Sequence, residues 1–127
     1  MKFSKGTDYA LHAMVFLASQ SDKDMKFPVG ELAKKLRVSN AYLSKILAQL
    51  VKQKYIVASS GAKGGYSLPH NWPEFTVYDI VVAIDGEPSL FEDSFNHGEE
   101  CKIQRLMMTI EDDMVASLKD KTIQSLL

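Results

Sequence analysis

Residues 27–68 read FPVGELAKKLRVSNAYLSKILAQLVKQKYIVASSGAKGGYSL, and the fold is decided there. Val29, Leu32, Ala33 and Leu36 recur at helical spacing, so one face of the first segment is apolar. Arg37-Val38-Ser39 breaks that pattern, and Ser39 is a good N-cap because its hydroxyl can accept from the orphan amides of the next turn. A second helix then carries Leu43, Ile46, Leu47 and Leu50 on one face. Its other face offers Asn40, Ala41, Tyr42, Ser44, Lys45, Gln49 and Lys52, with no acidic residue among them. Tyr55-Ile56-Val57-Ala58, the tip Ser60-Gly61-Ala62-Lys63-Gly64-Gly65 and Tyr66-Ser67-Leu68 follow as a hairpin in which glycine supplies positive φ values. Helix, turn, helix and hairpin make a winged helix-turn-helix.

Side chains near the N-terminus of a helix lying in a B-DNA major groove reach the base edges. Ser39, Asn40, Ala41, Tyr42 and Lys45 occupy that first turn and a half. Ser39 and Asn40 can also serve a phosphate, and Lys45 is long enough for a guanine edge or a phosphate. Lys52 and Lys54, further along, are placed for the backbone. Two readings of Tyr42 stay open: a ring packed on the core, or a hydroxyl on a phosphate.

Upstream, Thr7-Asp8 is expected to start a helix, with the hydroxyl as N-cap and the carboxylate near the positive end of the dipole. Residues 9–18 are almost all apolar apart from His12, which predicts a helix buried on most sides and serving as a central post. His12 has no Cys or His partner nearby and is read as a packed or surface residue. Residues 19–26 form a polar loop, and Pro28 suits a first helical turn. Downstream, Thr76-x-x-Asp79 is a capping-box start ahead of Val77, Ile80, Val81 and Ile84, with Gly86 as the stop. Residues 88–100 read as an acidic loop. A long helix follows, with Ile103, Met107, Ile110, Met114 and Leu118 spaced close to a heptad seam and Leu106 and Val115 widening it. A small winged domain has no obvious use for that much apolar surface, so pairing in a homodimer is predicted. The competing arrangement packs the helix on its own domain.

The chain of 127 residues is long enough to bury a core without staples. Its net charge of −1 conceals a segregation. Residues 1–72 hold 11 Lys+Arg against 4 Asp+Glu, giving +7, while residues 73–127 hold 4 against 12, giving −8. The basic half contains the helix-turn-helix, as a phosphate-binding surface requires. Solvated lysines would explain a charge run alone, but not its coincidence with this motif. No apolar run is long enough to span a bilayer, and the first residues lack a signal-peptide layout, so neither membrane nor export is expected. The single cysteine suits a reducing, cytoplasmic location. Paired catalytic carboxylates, a nucleophile motif and a phosphate-binding loop opening a helix are all missing from the sequence, which argues against an enzyme.

With these pieces in place, the chain resembles the Rrf-two family of bacterial winged-helix regulators, the group of IscR, NsrR and CymR. The likeness runs through the stretches beginning Met1-Lys2-Phe3-Ser4-Lys5-Gly6-Thr7-Asp8-Tyr9-Ala10-Leu11, Val38-Ser39-Asn40-Ala41-Tyr42-Leu43, Gly61-Ala62-Lys63-Gly64-Gly65-Tyr66 and Thr76-Val77-Tyr78-Asp79-Ile80-Val81-Val82-Ala83-Ile84-Asp85-Gly86. It implies a mainly α fold with a small β-hairpin wing and a long C-terminal dimerisation helix. The expected division is residues 1–86 as DNA-binding domain, 87–101 as a sensor-like loop and 102–127 as dimerisation helix and tail. It further implies a homodimeric repressor on double-stranded DNA with a pseudo-palindromic operator, the positions of Ser39, Ala41, Tyr42 and Lys45 facing the major groove and the wing entering the minor groove.

Two departures qualify the resemblance. Many members carry an arginine just before the wing glycine; here that position is Ser60, leaving Lys63 beside Gly64 as the substitute. Cluster-binding members hold iron and sulfur through three cysteines, of which only Cys101 is matched, so no cofactor is expected. His97, Glu99 and Glu100 add no second sulfur, and His97 with Cys101 is too small a set for a metal. Cys101 is either an inert small residue or a thiol that responds to a small oxidant or electrophile. A helix N-terminus favours the reactive thiolate, Lys102 assists weakly, and Glu99 and Glu100 oppose. The alternative to a DNA-binding regulator is a winged-helix module that binds another protein through the acidic half.

Overall fold

The computed structural model describes residues 2–90 and 101–127. In chain order they form helices α1 (Lys5–Ser19), α2 (Val29–Leu36) and α3 (Asn40–Lys52), strands β1 (Val57–Ser59) and β2 (Gly65–Ser67), and helices α4 (Val77–Asp85) and α5 (Lys102–Asp120). Short 3₁₀ turns at Trp72–Glu74 and Gln124–Leu126 complete the set. The result is a winged helix-turn-helix, mainly helical, with a long helix appended. Among the described residues no helix is long and apolar enough to cross a membrane.

α1 is the post, packed against α2, α3 and α4. Ala10, Ala13, Met14, Leu17 and Ala18 are buried along it, and the small alanines let the other helices approach closely. It starts one turn earlier than Thr7-Asp8 suggests. Ser4 is the N-cap, its Oγ accepting from the Thr7 N–H at 3.1 Å. Thr7 is instead buried, and its hydroxyl donates to Asp85 at 2.7 Å. Pro28 likewise sits at the N-cap of α2 rather than within its first turn, its carbonyl accepting from Glu31 and Leu32.

The turn between α2 and α3 is made by Arg37, in the left-handed region at φ 56°. Its neighbour Val38 donates to the Ala33 carbonyl at 3.0 Å, which closes α2. α3 then drives Leu43, Ile46, Leu47 and Leu50 into the core beside Met14, Leu32 and Ile80. In the wing, Val57 pairs with Ser67, Ala58 with Tyr66 and Ser59 with Gly65, antiparallel. Phe27 adds a rung, exchanging backbone bonds with Tyr66 at 3.0 and 2.8 Å. Gly65 is demanded twice there: its φ is +148°, and a β-carbon on it would lie 2.6 Å from the Phe27 carbonyl carbon.

α4 opens with a complete capping box between Thr76 and Asp79 and ends at Gly86, φ +79°. α5 packs against α4, yet none of its residues is fully buried. Its apolar stripe divides: Met107, Met114 and Leu118 are partly buried, whereas Ile103, Leu106 and Ile110 are exposed. After α5 the chain returns to the winged domain. Val77 donates to the Lys121 carbonyl at 2.8 Å, Ile123 donates to the Phe75 carbonyl at 2.9 Å, and the Ile123 side chain is wholly buried. Most of the acidic loop, including His97, Glu99 and Glu100, lies outside the described residues. At its described edge the Leu90 N–H donates to Glu111 of α5 at 2.7 Å.

Candidate nucleic-acid interface

The polar face of α3 is built by exclusion. Its four large aliphatic residues commit one side to the core, and everything of opposite phase must face outward. Ser39, Asn40, Ala41 and Lys45 are exposed at its N-terminal end, and Lys52 at its C-terminal end. The Ser39 hydroxyl is engaged as the cap, accepting from the Tyr42 N–H at 3.2 Å. At 1.5 Å per residue, its 13 residues give a rod about 20 Å long. Such a rod fits lengthwise into a groove of the major-groove type.

Tyr42 is packed and partly open at once. Its ring meets Tyr9 of α1 edge-on, centroids 5.8 Å apart and planes at 82°. Its hydroxyl sits beside Gly6, and the residue remains 39% exposed. Packing on the core and reaching solvent are therefore not alternatives for this side chain.

Ser60 and Lys63 are exposed at the wing tip, and Gly64 is half-buried in the turn. Gly64 is required for a different reason from Gly65: a β-carbon there would lie 2.3 Å from the Ser59 carbonyl oxygen. Over residues 27–68 the chain carries seven basic residues (Lys34, Lys35, Arg37, Lys45, Lys52, Lys54, Lys63) against one acidic residue, Glu31. This stretch is therefore strongly net positive, as an approach to phosphates requires.

At the other end, Cys101 is the N-cap residue of α5, partly buried and without a side-chain capping bond. Ile103 and Ile110 project from α5, while Met107, Met114 and Leu118 are drawn partly inward. The described residues contain no group of three or more His, Cys, Asp or Glu able to hold a metal.

A contact absent from the periodicity of the sequence lies behind this interface. One carboxylate oxygen of Asp85, the last residue of α4, accepts from the Ser4 N–H at 3.1 Å and from the Thr7 hydroxyl at 2.7 Å. Partial burial pushes the Asp85 carboxyl up, but the bonds from Ser4 and Thr7 outweigh it and hold the pKa below its usual value. The only sequence signal for it was an acid at a helix C-terminus, where the dipole disfavours one.

The family model described as Rrf2, iron-dependent transcriptional regulator, matches residues 3–127. The chain is 30% identical over 122 residues to the HTH-type transcriptional regulator NsrR of Geobacillus kaustophilus, covering 94% of this chain and 82% of that one. Its fold is similar to that of CymR, the global cysteine regulator of B. subtilis, with a TM-score of 0.83 at 24% identity over 99% of this chain and 95% of that one. The oxidized form of Staphylococcus aureus CymR superposes with a TM-score of 0.80 at 25% identity, again over 99% and 95% of the two chains. The iron in the family description finds no matching donor set: iron–sulfur clusters are held by several thiolates, and this chain has one cysteine. The residues present do not fit such a cluster.

Proposed function

The chain belongs to the Rrf2 family and is a DNA-binding transcriptional regulator, and we propose that it acts in the cytoplasm as a homodimeric repressor on a pseudo-palindromic operator. In this reading α3 lies in the major groove. Ser39, Ala41, Tyr42 and Lys45 face the major groove beside Asn40, Lys52 meets the backbone, and Ser60, Lys63 and Gly64 bring the wing to the minor groove. Residues 1–86, completed by the tail that returns at Ile123, bind DNA, 87–101 form a sensor-like loop, and α5 of 102–127 joins the two copies. The observation that carries it is the outward face of α3, which is exposed, free of acid and flanked by an exposed lysine-bearing wing.

Lys45→Glu tests the reading against its rival, a winged module that recognises another protein. Charge reversal at a base-facing position is expected to weaken binding to a duplex selected from random DNA about 100-fold, or ~3 kcal/mol. The salt dependence should flatten as well, since fewer phosphate counterions are released. Undiminished DNA affinity in this variant would remove α3 from the groove and leave the adaptor reading standing.

A second reading makes binding responsive to a small oxidant or electrophile through Cys101. Its support is the position of Cys101 at the cap of α5 and the likeness to a CymR solved in an oxidized form. Peroxide is then expected to change the operator affinity of the parent and leave Cys101→Ser unmoved. Equal responses of the two would make Cys101 inert.

A further inference from the structure

Resting on the placement of α3 in the groove, we infer that Thr7 and Asp85 are positioning residues for DNA recognition, which set the pose of Tyr42 through Gly6 without touching DNA themselves. Asp85 grips the first turn of α1 at both ends. One of its oxygens takes the Ser4 N–H and the Thr7 hydroxyl, across 81 and 78 residues of sequence. Hydrogen bonds to an ionised acceptor are roughly twice as strong as neutral ones. The turn is also closed internally, because Ser4 Oγ accepts from the Thr7 N–H at 3.1 Å.

Gly6 lies inside that gripped turn. A β-carbon on it would stand 3.1 Å from Ile84 Cγ2 of α4 and 3.6 Å from Tyr42 Oη of α3. The α1 backbone, with the capping Ser4 Oγ 3.4 Å from the same point, therefore occupies the notch between the last turn of α4 and the first turn of α3. One turn on, the Tyr9 ring abuts the Tyr42 ring edge-on. Tyr42 is thus registered against α1, and α1 is registered against Asp85.

The location of Asp85 points the same way. An anion on the last turn of a helix opposes that helix's own dipole, whereas at a helix N-terminus it is favoured. Asp85 ends α4, which has no basic residue in its last turn, and faces the start of α1. The carboxylate thus suits the helix it clasps, not the helix that carries it. When the clasp opens, the first turn of α1 loses two anchors, Gly6 withdraws, and Tyr42 loses the wall behind its hydroxyl.

The test uses the full chain and the duplex that it selects from random DNA. Thr7→Val keeps the volume and deletes the donor, and Asp85→Ala deletes the acceptor at a solvent-exposed position. Thr7→Ser and Asp85→Asn restore a donor and an acceptor respectively. The two deletions are expected to weaken binding about 10-fold, the scale on which residues without ligand contact modulate a site. The salt slope should be that of the parent, and the Tyr42 ring resonances, assigned with Tyr42→Phe, should shift. Thr7→Ser should bind and resonate as the parent does, and Asp85→Asn, which keeps an acceptor without the charge, should fall between the parent and Asp85→Ala. Unchanged affinity in the deletions, or weakened affinity with the Tyr42 resonances at the parent position, overturns the inference. Lys45→Glu keeps the two questions apart. If it binds DNA normally, the placement of α3 fails; if it does not bind while both deletions are silent, only the clasp fails.

Discussion

Aspartate at Ile110, or at Ile103, is expected to turn the protein into a monomer that still folds. The two side chains are 44% and 66% exposed, so neither contributes to the core of its own subunit. Changes at such sites shift stability by about 0.5 kcal/mol or less. In the proposed dimer the same positions become interior. Each loses the gain from burial, about 1.5–3 kcal/mol for a large aliphatic side chain, and a desolvated charge is added to that loss. Operator affinity should fall by about 100-fold or more, because two tethered half-site readers gain through effective concentration what one cannot. Sedimentation velocity and a thermal melt decide the matter together. A dimer that survives both aspartates means that the outward stripe of α5 is not the joining surface.

Gly65→Ala carries the second large effect, and it acts on the wing. Any β-carbon at this position meets the Phe27 carbonyl carbon at 2.6 Å and its oxygen at 2.7 Å, in a backbone conformation with φ at +148°. Backbone does not yield as a flexible side-chain tip does. The strain must open the Phe27–Tyr66 rung, and strain plus two lost backbone bonds come to about 3 kcal/mol. That is a sizeable share of a typical domain's total stability, about 5–15 kcal/mol. Gly61→Ala is the control. Gly61 also has positive φ, +97°, but a β-carbon there meets nothing within 4 Å, so only conformational strain of about 1 kcal/mol is expected. Urea melts of the two variants should differ accordingly. If the two glycines prove equally costly, the close approach of Phe27 is not what fixes residue 65.

Wherever a single segment states its own rule, the sequence was legible. The two faces of α3 follow from Leu43, Ile46, Leu47 and Leu50, and the start and stop of α4 follow from Thr76, Asp79 and Gly86. The wing was readable from its glycines, although Gly64 is needed for space rather than for φ. What escaped were contacts between segments far apart in the chain. Nothing periodic links Thr7 to Asp85, so Thr7 reads as a cap when Ser4 is the cap. Phe27 gives no sign, inside a polar approach to α2, that it extends the sheet. Of the proposed interface, the outward residues of α3 were visible from phase alone. The means of holding Tyr42 was not, because it is assembled from α1, α3 and α4 together.

Ile123 has a bearing on how the protein is made. Its side chain fills the same interior as Leu50, Phe75 and Ile80, and its amide is tied to the Phe75 carbonyl. A nascent chain halted within α5 would have synthesised every part of the winged module and still leave a hole in its centre. A fragment ending at residue 86 is therefore expected to be less stable than the full chain by the cost of that unfilled space, about 2–5 kcal/mol.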